Sequence, residues 1–163
     1  MAYTETIQQL NDARRRILEI RAEMRGLQAG IEPEPVADYE FATVDGPVRL
    51  AQLFGDKNEL ILIHNMGSSC RYCTLWADGF NGLVDHLEDR AAFVVTSPES
   101  PEEQRKFAVS RNWRFSMVSH AGTDFARDMG YYADDGEFAG YQPGVSVFVR
   151  DGERVTRVSD APL

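Results

Sequence analysis

Apolar and polar positions along the chain change period several times, and each period marks a different element. From Thr4 to about Gly30, apolar residues recur every seven positions at Tyr3, Leu10, Ile17, Met24 and Ile31. Ala13, Ile20 and Leu27 follow three residues after the middle three. This heptad seam, with Arg14-Arg15-Arg16 outside it, predicts a long amphipathic helix. Glu32-Pro33-Glu34-Pro35 then reads as an extended linker, because proline fixes φ and disfavours helix in the residue before it. Glu59-Leu60-Ile61-Leu62-Ile63-His64-Asn65 is a short, branched apolar run, the pattern of a buried central strand. Tyr72, Leu75, Trp76, Phe80, Leu83, Val84 and Leu87 form a helical stripe, with a break expected near Gly79 and Gly82. Ala92 to Thr96 predicts a second strand. Ser100-Pro101-Glu102-Glu103 combines an N-cap, a proline at N1 and a capping-box glutamate, opening a helix to about Arg111.

Further on, Trp113 to Val118 is a strand candidate, and Thr123 to Met129 a short helix stopped by Gly130. Val145 to Arg150 and Glu153 to Ser159 flank Asp151-Gly152, the pattern of a β-hairpin. Strand–helix–strand–helix followed by two strands predicts an α/β domain over residues 36–163, preceded by the helix and proline-rich linker of residues 1–35.

Charge and composition narrow the functions. Seventeen basic against 26 acidic residues give a net charge of −9, opposite in sign to the footprint of a nucleic-acid binder. The apolar runs are strand-sized, too short for a membrane span, and the charged N-terminus lacks an apolar signal core. The expectation is a cytoplasmic protein without nucleic-acid or membrane partners.

The only cysteines are Cys70 and Cys73, in Ser69-Cys70-Arg71-Tyr72-Cys73 directly after the first strand. C-x-x-C at the carboxyl end of a strand, opening a helix, is a redox signature. Free N–H groups and the positive helix end favour a thiolate at Cys70, helped by Arg71, while Cys73 lies one turn deeper. Cys70 is therefore assigned as the attacking sulfur and Cys73 as the resolving one. Ser69 is a plausible N-cap. Trp76 reads chiefly as core, with a wall of the site as the alternative. A metal site would combine Cys70 and Cys73 with His64, His86 or His120, but H-x₃₋₅-H and a second C-x-x-C are missing, so no metal is expected. Asp134-Asp135-Gly136-Glu137 lacks EF-hand spacing and reads as a polar turn. G-x-G-x-x-G and Walker patterns are absent, so no nucleotide cofactor is implied.

The layout resembles the thioredoxin fold, a central mixed sheet flanked by helices, here with an N-terminal amphipathic helix added. The block Cys70 to Phe80, with Pro143-Gly144-Val145-Ser146-Val147-Phe148, resembles a bacterial branch of predicted dithiol–disulfide oxidoreductases. The resemblance implies thiol–disulfide exchange with a disulfide-containing protein or a small oxidant. It also implies that His64, six residues before Cys70, replaces a buried carboxylate that accepts the resolving thiol's proton. Histidine could do this with a pKa near neutrality. Ser69, Arg71 and Tyr72 differ from the thioredoxin motif, and Gly144 stands where the cis-proline is expected, with Pro143 one residue early. Tyr39 through Asp45-Gly46 and Leu50 to Leu53-Phe54-Gly55 resemble the start of peroxiredoxins. The P-x-x-x-[ST]-x-x-C signature nevertheless fails at both cysteines: Met66 and Cys70 precede Cys73, and Ile63 and Gly67 precede Cys70, at its two fixed positions. A thiol peroxidase and a non-catalytic scaffold or metal-binding protein are the alternatives. Relatives continue beyond the hairpin, so the fold's closing helix is expected to be absent or replaced. The heptad seam makes a homodimer the expected assembly.

Overall fold

The computed structural model describes residues 3–136 and 139–162. The chain divides into two compact units, Met1–Glu32 and Pro33–Leu163. The first contains α1 (Tyr3–Ala29), a single helix with no buried residue.

In the second unit the chain runs through β1 (Glu34–Pro35), β2 (Glu40–Thr43), β3 (Gly46–Arg49) and a 3₁₀ turn over Leu50–Phe54. It continues with β4 (Glu59–His64), α2 (Arg71–Asn81), α3 (Val84–Arg90), β5 (Ala92–Ser97), α4 (Pro101–Arg111), β6 (Ser116–Ser119) and α5 (Phe125–Asp128). After β7 (Tyr132–Ala133) and β8 (Gly140–Tyr141), which pair with each other, come β9 (Gly144–Asp151) and β10 (Arg154–Pro162). Eight strands form one sheet in the order β1-β10-β9-β4-β5-β6-β2-β3. β4, β5 and β6 are parallel, and β9 lies antiparallel to β4. This is the central mixed sheet with flanking helices that the sequence led one to expect.

Alternation along the strands sends side chains to two cores. Leu60 and Leu62 of β4 join Phe41, Phe54, Phe125, Tyr131 and Phe148 on one face. Ile63 joins Ala77, Val84, Phe93, Val95 and Phe115 on the other, beneath α2 and α3. α4 has the expected capping box and Pro101 at its start, and Asn112 in the left-handed region at its end. Its one buried side chain, Gln104, donates to Ser97 Oγ (2.8 Å) and Val118 O (3.0 Å), pinning the helix to β5 and β6.

Three sequence expectations change, and one hairpin was not foreseen. Glu34 and Pro35 are not free linker but an edge strand opposite Arg157 and Thr156 of β10. The strand read from Trp113 begins at Ser116, since Trp113 and Phe115 turn into the core under α3. The β2–β3 hairpin around Asp45-Gly46 was not assigned from the sequence, although Gly46, at φ +116°, supplies the positive-φ residue such a turn needs. The apolar stripe from Tyr72 is a core face only in part: Tyr72, Leu75, Trp76 and Leu83 are exposed, whereas Phe80, Val84 and Leu87 pack on the core, and Cys73 and Ala77 are the buried residues of α2. The expected break is real and falls at Gly82, which caps α2 before α3 begins. Glu137, read as part of a polar turn, lies outside the described residues.

Candidate functional site

β4 ends at His64, and the chain turns through Asn65-Met66-Gly67-Ser68-Ser69 into α2. Gly67 has φ +100°, and its N–H donates to Asn65 Oδ1 at 2.7 Å. A Cβ there would also crowd the Glu99 side chain at 3.1 Å, so glycine is required twice over. Glu99, from the turn after β5, accepts the Ser68 N–H at 2.8 Å as well as the Ser68 hydroxyl. Cys70 N–H in turn donates to Gly67 O at 3.1 Å. The loop in front of the cysteines is thus fastened at both ends.

The N-cap of α2 is Cys70, one residue later than the sequence suggested; Ser69 is exposed and bonds nothing in the cap. Cys70 Sγ accepts the Cys73 N–H at 3.1 Å, the role a serine or aspartate oxygen usually plays. An N–H aimed at sulfur from a helix start favours the anionic sulfur. Cys70 is half-buried, Cys73 is buried, and both are free thiols. Burial, with a hydrogen bond to Cys70, pushes the Cys73 thiol up to about 12, against a smaller opposing bond from the Met66 backbone. One sulfur is therefore open to solvent at a helix terminus, and its neighbour is held protonated one turn inside.

A cavity of about 310 Å³ adjoins Cys73, lined by Met66, Tyr72, Trp76, Phe80 and Pro143 among others. Trp76 is 46% exposed, so it walls the site instead of filling the core. Arg71 and Tyr72 face solvent. Pro143 reaches the cavity without a bulge, since β9 pairs with β4 in unbroken register from Glu59–Val149 to His64–Gly144. No cis peptide bond occurs among the described residues. Gly144 could not be proline or alanine: a Cβ there would lie 1.9 Å from Cε1 of Tyr131.

His64 lies beside the site, but its surroundings do not give the near-neutral pKa expected of a proton acceptor. The His64 ring stacks on Tyr131 at 3.9 Å and Phe125 at 5.5 Å, on the face opposite Ile63, and the residue also lines the cavity beside Cys73. Burial pushes its pKa down to about 3, far from neutrality. Tyr131 Oη lies within hydrogen-bond reach of the carbonyls of Val145 (3.0 Å) and Ala161 (3.3 Å), to which it donates. His64 Nε2 pairs with Ser146 Oγ at 2.9 Å, and Nδ1 has no protein partner. His120, a candidate metal ligand in the sequence, is buried on the same face against Thr96, with its pKa lowered to about 4 by burial. His86 is exposed on α3. Among the described residues, no three His, Cys, Asp or Glu side chains come together as a metal-holding group.

Sequence reasoning missed Glu99, Tyr131 and Ser146. Glu99 and Tyr131 carry no local signal, since their partners lie 31 and 14 residues away. Ser146 does carry one: it is a lone hydroxyl on the buried register of β9, between Gly144 and Phe148.

This fold and this pair of sulfurs define a two-cysteine thiol-redox site of the thioredoxin and peroxiredoxin superfamily. The chain belongs to the family described as bacterial protein of unknown function (DUF899), whose profile matches residues 2–159. No curated protein sequence matches it. Among solved structures, it is similar to the peroxidoxin BcpB of Mycobacterium tuberculosis, with TM-score 0.64 and 25% identity over 80% of this chain and 84% of that one. It is similar in fold to reduced Prx3 of Vibrio vulnificus, with TM-score 0.64 and 14% identity over 82% and 86% of the two chains. The bacterioferritin comigratory protein of Xanthomonas campestris gives TM-score 0.60 and 15% identity over 76% and 80%. These likenesses bring forward the peroxiredoxin relationship, which the failed signature had set behind the dithiol–disulfide reading. Among the described residues no helix is long and apolar enough to cross a membrane.

Proposed function

We propose that the protein is a two-cysteine thiol peroxidase in which Cys70 attacks and Cys73 resolves. The observation that carries this reading is Cys70 half-exposed at the cap of α2, with Cys73 buried one turn inside and lining an apolar cavity. The Cys70 thiolate attacks the terminal oxygen of a hydroperoxide, the O–O bond breaks, and the leaving alkoxide takes a proton. Cys73 then attacks the resulting sulfenic sulfur. The S–O bond breaks, the Cys73 proton leaves with the hydroxide as water, and a Cys70–Cys73 disulfide remains. An external dithiol completes the cycle. Tyr72, Trp76 and Pro143 give the organic part of the substrate an apolar wall. The structurally similar Xanthomonas protein was studied for alkyl peroxide reduction activity, which supports an organic hydroperoxide here.

The second reading is thiol–disulfide exchange with a protein, favoured by the C-x-x-C spacing and the exposed Tyr72 and Leu75 beside it. One experiment separates them. Reduced protein mixed with cumene hydroperoxide is expected to consume one equivalent and lose two thiols. Cys73→Ser should stop at a dimedone-trappable sulfenic acid on Cys70, and Cys70→Ser should be inert. Hydroperoxide reduction no faster than by free cysteine, together with reduction of insulin, would establish the exchange reading instead. Inertness towards both would leave a binding scaffold.

A further inference from the structure

The α1 helix raises a question that the redox site does not answer. It runs for 27 residues, about 40 Å, with no residue buried. Yet its seam presents Leu10, Ile17, Ile20, Met24 and Leu27 to solvent, each at least 45% exposed. Gly26 in its last turns and the absence of a basic residue there leave little intrinsic stabilisation. Helices of this kind owe their stability to an apolar face packed on a partner.

We infer that α1 pairs with α1 of a second copy as an antiparallel two-stranded coiled coil. The heptad period itself points to a helical partner, since a helix packed on a globular core shows a broader apolar stripe. The composition of the seam selects the orientation. With Leu10, Ile17 and Met24 at one core position and Ala13, Ile20 and Leu27 at the other, the antiparallel register places Leu10 against Leu27 of the partner subunit, Ala13 against Met24 of the partner subunit, and Ile17 against Ile20 of the partner subunit. Each small side chain meets a large one. A parallel pair would stack Ala13 on its own copy and leave a hole there. Charge agrees. Antiparallel packing sets Arg16 beside Glu23 of the partner subunit twice by symmetry, offset by Arg14 beside Arg21 of the partner subunit, also twice. Parallel packing brings Arg16 onto Arg21 of the partner subunit twice and offers no opposite-charge pair between flanking positions. This assembly is a closed two-fold dimer and does not depend on the chemistry at Cys70.

The test uses the full chain. Light scattering at tens of micromolar is expected to give twice the 18.3 kDa protomer mass. Ile17→Glu combined with Ile20→Glu should give a monomer whose Cys70 alkylation rate is unchanged, which shows the second unit intact. In a Cys70→Ser, Cys73→Ser background, an equimolar mixture of Leu10→Cys and Leu27→Cys chains should cross-link to each other on mild oxidation, while Leu10→Cys alone should not. A monomeric parent, in which the seam packs within its own chain, would overturn the inference. So would a dimer that survives the double glutamate substitution, or efficient cross-linking of Leu10→Cys to itself.

Discussion

At Cys70 and Cys73 one helical turn gives two sulfurs opposite surroundings. Cys70 takes an N–H at the helix start and meets solvent, whereas Cys73 is buried and held protonated, at about 12. Iodoacetamide at pH 8 should therefore add once, at Cys70, and twice only after unfolding in urea; peptide mass mapping reads the result. Equal labelling of both thiols in the folded protein would contradict the assignment. The placement of the two sulfurs was legible because spacing and the preceding strand put them on a helix terminus. The role of His64 was not, because counting residues cannot say which face of the sheet the strand's last side chain takes. Tyr131 settles that: it stacks on the ring and occupies the space over Gly144.

Between elements, long polar side chains do the fastening that local patterns cannot show. Arg150, at the end of β9, donates to the carbonyls of Ala51 (3.1 Å), Gly55 (3.1 Å) and Lys57 (2.8 Å), and lies over the Phe54 ring. It holds the 3₁₀ turn and the entry to β4 against the central sheet. Arg150→Ala should lower stability by about 2–3 kcal/mol in urea unfolding. Arg150→Lys should recover only part of this, because an ammonium cannot span three carbonyls as a planar fork does. A full recovery would mean that charge alone matters. The elements around the cysteines were readable from capping residues and strand-length apolar runs. The short edge strands β1, β7 and β8 were not, because two residues carry no period and their pairing is decided by neighbours distant in sequence.

For the whole molecule, the buried histidines set the response to acid. His64 and His120 are held neutral in the fold, near 3 and 4, against 6.5 when unfolded. Above about pH 6.5 neither form binds the extra protons, so the histidines add no slope near neutrality. Below it the unfolded chain takes them up and the folded chain does not, so stability falls by up to about 1.4 kcal/mol per pH unit for each imidazole. Denaturant midpoints between pH 7 and 4 should show this slope, and His64→Gln should roughly halve it. Asp78, held below its usual range by Arg111, and Glu103, held low by Ser100, lose their contributions at lower pH, so they leave this window largely to the histidines. A profile flat down to pH 4 would refute the burial of both rings. The cap on α2 ties this stability to the electron balance. While reduced, Cys70 closes the helix start through its sulfur; as half of a disulfide that sulfur is a poorer acceptor, and the first turn loosens. An N-cap contributes about 0.5–2 kcal/mol. The reduced state gains that much relative to the oxidised one, so the helix start alone raises the couple's potential by about 10–40 mV.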